Sequence, residues 1–300
     1  MSTLTNCPSV SLENIEMDAC NLDIVKAAQI YKEHGCLIVR GLMKNYATAV
    51  CADILRSVDQ AIKMIDQAKK IDEGWQTPDG TLLIPAPEGF VRDKQVMVTS
   101  CRYTTSSSFF LSAVDENLLN IAEAVLGPEV ELFMDGQTLC KEPAGGHPKM
   151  LHQDGAYFEH RYEGPMSVLN YAVDTDLNNG ALHVIPGSHK LGVLKHVDTE
   201  SHLGLDLSEW PWESALPIEG KAGDAIFFHV LTIHGSKPNW SNGPRPVFIH
   251  RYRAANDYVV VNATNTNNRE QAERAKEEAK KENQRGFMVR GFRPYQDVAG

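Results

Sequence analysis

His152-Gln153-Asp154 sets an imidazole and a carboxylate two residues apart, the spacing at which side chains on a strand leave from the same face. Both could then meet at one point. A second histidine from a neighbouring strand would complete two histidines and one carboxylate on one face of an octahedron. That arrangement leaves three positions open, as in non-heme Fe(II) oxygenases. An isolated H-x-D recurs often by chance, so the second histidine carries the argument. Of the eleven histidines, His34 ends a predicted helix, while His160, His196 and His202 fall in polar loops. His183, His189, His229 and His250 lie in or beside predicted strands, where packing usually satisfies a histidine. His234 differs in context: it ends an apolar run that opens on Gly223-Asp224, and Gly235-Ser236 follows at once. His229 is its nearest competitor, because a turn between the two would cancel any parity argument. Residue chemistry favours His234 without excluding His229.

The elements that must position these residues can be read from periodicity. Ile24, Ala27, Ala28, Ile30 and Tyr31 recur at helical spacing, so residues 23–34 read as a helix that Gly35 stops. Residues 36–39 then read as a short buried strand. A second helix is expected over about 47–70, a loop rich in Pro and Gly over 74–89, and a third helix over 117–126 ended by Gly127-Pro128. Beyond residue 128 short apolar runs alternate with turn signals, at 130–134, 167–173, 181–185, 225–229 and 246–252. That texture predicts a sandwich or barrel. Residues 269–284 are dense in Glu, Lys, Ala and Gln, which reads as a solvated helix held by i,i+4 ion pairs. The expected layout is one domain over 1–300: a helical part at about 20–127, a β core at about 128–260 and a charged helical tail at about 265–300.

Bulk properties narrow the function classes. With 39 acidic against 29 basic residues the formal charge is −10, which disfavours nucleic acid as a partner and gives anionic membranes nothing to attract. A 42% hydrophobic content over 300 residues supports a sizeable core, yet no apolar run approaches the roughly 20 residues of a membrane span. The polar N-terminus does not read as a secretory signal, and Asp297-Val298-Ala299-Gly300 is not a peroxisomal tripeptide. The six cysteines, Cys7, Cys20, Cys36, Cys51, Cys101 and Cys140, form no C-x-x-C pair. They read as reduced thiols of a cytoplasmic protein. A small-molecule substrate is the expected partner, and a homodimer is compatible with the sequence.

Three segments, in order, resemble the phytanoyl-CoA dioxygenase family of Fe(II)/2-oxoglutarate oxygenases. They are Leu151-His152-Gln153-Asp154 with Tyr157-Phe158, then the stretch Asn179-Gly180-Ala181-Leu182-His183-Val184-Ile185-Pro186-Gly187-Ser188-His189-Lys190, and Ile233-His234-Gly235-Ser236 with Asn239 and Pro244-Arg245. The similarity covers roughly residues 128–253. It implies a double-stranded β-helix, a jelly-roll or cupin-like barrel, mainly β with flanking helices. It also selects His234 over His229, giving His152, Asp154 and His234 as the Fe(II) ligands.

The resemblance further implies 2-oxoglutarate and O2 as cosubstrates. The far carboxylate of 2-oxoglutarate needs a buried planar cation, which an arginine supplies through paired, charge-assisted bonds. Arg245 stands where the family places that arginine and Ser236 where it places a supporting hydroxyl. Gln137 and Asn170 match positions from which family members reach the cosubstrate. Arg251 and Arg253 are rival cations of the same strand region, otherwise read as surface charge. Related halogenases vacate the carboxylate ligand, so Asp154 points to hydroxylation or another oxidation, with succinate and carbon dioxide as co-products. Residues 96–110, including Arg102 and Tyr103, and residues 157–163 and 203–212 are candidates for the entrance, as is the tail after Arg285. Trp210, Trp212, Phe109 and Phe110 could form an apolar wall or simply pack in the core. The expected substrate is an aliphatic natural product or a lipid-like molecule. Two other readings compete: a non-catalytic small-molecule-binding barrel, and a cupin-type metal enzyme that does not use 2-oxoglutarate.

Overall fold

The computed structural model describes residues 10–71, 74–157, 160–162, 164–199, 203–258 and 285–293. Helix α1 (Leu12–Ile15) and strand β1 (Glu16–Asp18) lead into α2 (Ile24–His34), β2 (Cys36–Arg40) and α3 (Lys44–Lys63). Strands β3 (Lys69–Ile71), β4 (Gly74–Gln76), β5 (Leu82–Pro85) and β6 (Lys94–Val98) precede α4 (Ser107–Ala113) and α5 (Glu116–Leu126). Then come β7 (Val130–Leu132), β8 (Gln137–Lys141), β9 (Lys149–His152), β10 (Met166–Tyr171) and β11 (Leu182–Val184). The last strands are β12 (Val197–Asp198), β13 (Leu203–Gly204), β14 (Leu216–Ile218), β15 (Ala225–His229), β16 (His234–Ser236), β17 (Arg245–Ala254) and β18 (Phe287–Arg290).

Local chemistry explains the helix ends. The Asp23 carboxylate accepts from the Lys26 N–H at 3.0 Å and starts α2. Asp115 accepts from the N–H groups of Asn117 and Leu118 and starts α5. Ser106 Oγ accepts from the Phe109 N–H at 3.0 Å and starts α4. Each cap satisfies donors that the first helical turn leaves without partners. Gly35, with φ +66°, closes α2 in a left-handed conformation. A Cβ there would run into the His189 ring and lie 2.7 Å from Thr232 Oγ1.

A twelve-stranded sheet runs β1-β2-β15-β10-β17-β8-β6-β5-β4-β3, with β7 joining β17 and β18. A second sheet runs β14-β11-β16-β9. A cavity takes its wall from both sheets, so the two are the halves of a jelly-roll barrel, mainly β with helices outside, as expected. Strand β17 is buried along nearly its whole length, because both of its faces are covered. Phe248, His250 and Tyr252 turn towards the helices: the Phe109 and His250 rings stack 5.1 Å apart, and Tyr252 Oη donates to the Ala113 carbonyl at 2.7 Å. Arg245, Ile249 and Arg251 turn to the cavity.

The structure departs from the expected elements in several places. The second helix stops at Lys63, and residues 69–71 are strand. The expected loop at 74–89 contributes β4 and β5, which extend the large sheet and bring Leu82 and Ile84 to the cavity. Breakers at Pro78, Asp79 and Gly80 mark the turn between these strands rather than the absence of strands. Helix α4 was not expected; its short apolar run lacks a full helical period. The expected charged helix at 269–284 lies outside the described residues. Within the described 285–293, residues Phe287–Arg290 form a strand on β7, not part of a helical tail. No helix among the described residues is long and apolar enough to cross a membrane.

Two outcomes follow. Gly35→Ala combines the cost of left-handed backbone with overpacking, so it should lower unfolding stability by about 3 kcal/mol in denaturant titrations; a loss below about 1 kcal/mol would refute the close approach. The second concerns His250. Ser112 Oγ donates its one proton to the Phe109 carbonyl at 2.7 Å, so His250 Nε2–H donates to Ser112 and Nδ1 accepts from Tyr103 Oη. Burial holds this imidazole down to about 3, whereas an unfolded histidine takes its proton near 6.5. Its contribution is therefore complete above pH 6.5 and is lost as pH falls, by about 1.4 kcal/mol per unit down to the folded value. Between pH 6.5 and 5, the fall in unfolding stability should be shallower in His250→Gln than in the parent; equal slopes would contradict the assignment.

Candidate metal centre

Strands β9 and β16 run antiparallel with His152 directly opposite His234, and the two rings lie 4.2 Å apart. Each imidazole is oriented by its own chain. His152 Nδ1 meets the Met150 carbonyl at 2.8 Å, and His234 Nδ1 meets the Thr232 carbonyl at 2.9 Å. A carbonyl only accepts, so Nδ1 carries the proton in both rings and Nε2 presents its lone pair. Burial pushes His234 down to about 4, with the neighbouring His152 adding to the effect. The neutral form that a metal requires is therefore the resting form.

Asp154 completes the set by a different route from that expected. It does not continue β9 but opens a 3-10 turn, Asp154–Ala156. Its Oδ1 lies 3.6 Å from His152 Nε2 and 3.7 Å from His234 Nε2. Burial works against ionisation of this carboxyl, but the positive charge of the neighbouring Arg251 prevails and holds it well below the usual range. Gln153 fixes the turn. Its side-chain amide donates to the carbonyls of Gly192 and Leu231, its oxygen accepts from the Leu194 N–H, and its own N–H donates to His196 Nε2.

The donor atoms of His152, Asp154 and His234 lie within 4.8 Å of one another, the one such group among the described residues. Donors on one octahedral face, each about 2.1 Å from an ion, sit about 3 Å apart. A contraction of less than an ångström would bring Asp154 Oδ1 to that distance from both imidazoles, and the two-nitrogen, one-carboxylate set suits Fe(II). His229, by contrast, turns to the outer side of β15, where Nδ1 accepts from the Leu231 N–H at 3.0 Å. The chain does turn between the two histidines: His229 ends β15, and His234 opens β16 rather than closing the preceding strand.

The cavity, of roughly 280 Å³, reaches from this triad to Arg245 and Ser236. Arg245 is 2% exposed, and its Nε and Nη2 have no hydrogen-bond partner among the described residues. Its guanidinium lies over the Tyr171 ring at 5.3 Å, and burial lowers its pKa. A buried cation with two unused donors fits the missing carboxylate of an oxo acid. Gln137 is also in the wall, where its Oε1 accepts from Arg251 Nη2 at 3.1 Å.

Asn170 is not in the wall. On β10 Ser167 and Leu169 turn inward, so parity sends Asn170 to the other face, where Nδ2 donates to the carbonyls of Val168 and Phe248. That placement corrects its expected contact with the cosubstrate. Arg253 is buried against Glu131 at 2.5 Å. Arg251, read as surface charge, is 7% exposed and stands beside Asp154 Oδ2 at 3.7 Å. Ser167 Oγ donates to the same oxygen at 3.2 Å. Residues 245, 251 and 253 share one strand parity, and that signal could have placed Arg251 in the barrel. Val96, Met97, Val98 and Tyr157 reach the cavity as entrance candidates. Phe109 and Trp210 belong to the packed cores, Trp212 packs on His183, and Phe110 is largely exposed; none lines the cavity. Phe158, Glu159, Glu163, Ser201 and His202 lie outside the described residues.

Comparison with known proteins gives a consistent family. The family model "Phytanoyl-CoA dioxygenase (PhyH)" matches residues 31–247. Peroxisomal phytanoyl-CoA dioxygenase of Bos taurus is 26% identical over 261 residues, covering 83% of this chain and 74% of its own length. A protein of Stutzerimonas stutzeri named "Probable alpha-ketoglutarate-dependent hypophosphite dioxygenase" is 25% identical over 221 residues, covering 70% and 76%. Among solved structures, the alpha-ketoglutarate-dependent carbocyclase SnoK of nogalamycin biosynthesis superposes with a TM-score of 0.59 at 20% identity, covering 81% of this chain and 88% of its own. The epimerase SnoN, solved with Fe3+, alpha-ketoglutarate and a nogalamycin compound, gives 0.56 at 19% identity, covering 79% and 85%. At those identities the structural likeness speaks for the fold.

The ligand assignment makes a sharp contrast testable. In Co(II) titrations followed by ligand-field absorption, His152→Ala and Asp154→Ala should each lose stoichiometric binding, since two ligands do not hold a facial site. His229→Ala should keep it. Loss of binding in His229→Ala with retention in His152→Ala would refute the assignment.

Proposed function

This chain belongs to the phytanoyl-CoA dioxygenase family of Fe(II)/2-oxoglutarate-dependent dioxygenases, and we propose that it hydroxylates an unactivated carbon of an aliphatic natural product or lipid-like molecule. The observation that carries this reading is the pairing of the His152, Asp154 and His234 donor set with a buried Arg245 whose Nε and Nη2 have no partner among the described residues, in one cavity. A metal site alone would not need that cation.

In this reading His152 Nε2, His234 Nε2 and Asp154 Oδ1 hold iron, which supplies the activation of O2. Arg245 grips the far carboxylate of 2-oxoglutarate through Nε and Nη2, with Ser236 beside it. This fixes the direction in which the oxo acid enters. The reaction balances as substrate C–H, 2-oxoglutarate and O2 giving C–OH, succinate and carbon dioxide. One oxygen atom goes to the substrate and the other to the new carboxylate of succinate. The protein's share is positioning and exclusion of water. Leu139, Leu169, Leu182, Phe228 and Ile249 make much of the wall apolar. Met97 and Met134, unbranched and adaptable, suit an irregular aliphatic skeleton. The likeness in fold to enzymes of nogalamycin biosynthesis agrees with a natural-product substrate. The cysteines among the described residues are all unpaired, which fits the reduced cytoplasm where we place the enzyme.

Arg245→Ala should raise the 2-oxoglutarate concentration for half-maximal succinate release by about 30- to 100-fold, the value of a buried paired charge-assisted contact. Arg245→Lys should recover only part, because a point charge does not reproduce the planar fork. An unchanged requirement in Arg245→Ala would place the cosubstrate carboxylate elsewhere.

A further inference from the structure

We propose that Arg251 is the substrate anchor of this site, and that the molecule oxidised carries a carboxylate or similar anion close to the carbon that reacts. The inference rests on the 2-oxoglutarate reading above and narrows its substrate class.

Position separates the two arginines. Both project into the cavity from β17, but they are six residues apart, which at about 3.3 Å per residue puts their Cα atoms roughly 20 Å from one another. A 2-oxoglutarate held by Arg245 spends its other carboxylate at the triad, where the metal takes up its charge. Arg251 stands at the Asp154 side of the triad, with Met134 and Ile249 also in the wall. It therefore faces the space left for the substrate.

Charge makes the same point. The cavity wall holds four cationic side chains, Lys141, Lys149, Arg245 and Arg251, and one carboxylate, Asp154. Lys141 donates to the carbonyls of His147, Ser236 and Lys237, and burial pulls its pKa well below the usual lysine value. Lys149 is only half-buried. Once Asp154 ligates a divalent ion, its charge is spent there, and the dianionic cosubstrate balances what remains of the metal together with Arg245. Arg251 is left buried with the neutral Gln137 oxygen at 3.1 Å, and its Nε has no partner among the described residues. A buried guanidinium without a counter-charge is strongly disfavoured. An anion brought by the substrate would remove that cost and use the free donor. Gln137, by taking one Nη2 hydrogen, sets the plane in which the anion is met.

The test uses the whole protein loaded anaerobically with Fe(II) and 2-oxoglutarate, read by the metal-to-ligand absorption band of the cosubstrate complex. Straight-chain carboxylic acids of graded length are titrated against their primary amides. In the parent protein at least one acid should perturb the band at a concentration about 10- to 100-fold below that of its amide. Arg251→Gln should abolish that preference while the band still forms, since a bound divalent ion itself keeps Asp154 ionised, and Arg251→Lys should restore part of it. The proposal is overturned if no acid outperforms its amide, or if Arg251→Gln keeps the preference. It is equally overturned if Arg251→Gln abolishes metal binding, because Arg251 would then serve Asp154 rather than substrate. Failure of the band to form in the parent protein would instead refute the 2-oxoglutarate reading, and this inference with it.

Discussion

Charge buried in a barrel is the constraint on which the rest of this structure depends. Asp154 stays ionised although burial opposes it, because the Arg251 cation and the Ser167 hydroxyl stand beside Oδ2. Arg245 stays in the wall although nothing among the described residues satisfies Nε and Nη2. Isolated buried charges are costly, and proteins that keep them do so for a partner. In the reading proposed above, the partners are a divalent cation at one point and carboxylates at two others. The apolar wall strengthens each of these interactions by lowering the local dielectric.

Holding those charges in register falls to a small number of hydrogen bonds outside the donor set. The two imidazoles are locked by backbone carbonyls two residues upstream, so their orientation follows from the strand path itself. Gln153, at the centre of the H-x-D, uses both ends of its amide to tie the turn to residues 192, 194 and 231. His196 receives the Gln153 N–H, and burial holds it neutral, at about 4. Such supporting contacts commonly tune metal affinity by 10- to 100-fold. The long β17 links the whole site, since its inward face carries Arg245, Ile249 and Arg251 while its outward face packs on α4.

Much of this was legible in the sequence, for identifiable reasons. Residues 24, 27, 28, 30 and 31 repeat with the helical period, and Gly35 supplies the stop. Residues 225–229 are a continuous apolar run and form a strand with those same limits. The triad was partly legible: strand spacing suggested His152 with Asp154, although Asp154 in fact reaches the site from a tight turn. Residue chemistry favoured His234 without excluding His229, because the intervening turn that sends them to opposite sides carries no strong breaker. What was missed depended on pairing rather than pattern. Asn170 looked like a site residue until the parity of β10 turned it outward. Arg251 looked like surface charge because an arginine beside an apolar run usually is, and only the covering of both faces of β17 makes it internal. The hairpin of β4 and β5 was hidden by its own turn residues, which dominate so short a segment.

The decisive property is whether this cavity couples oxygen to an oxo acid through its iron ligands. The most direct measurement is release of labelled carbon dioxide from 2-oxoglutarate labelled at the carboxyl beside the ketone, in air with Fe(II). The parent protein should release it in step with succinate, stop when the metal is chelated, and resume on addition of Fe(II). No release from the metal-loaded protein with any acidic or neutral aliphatic substrate, or release that continues undiminished after substitution of His234 by alanine, would contradict it.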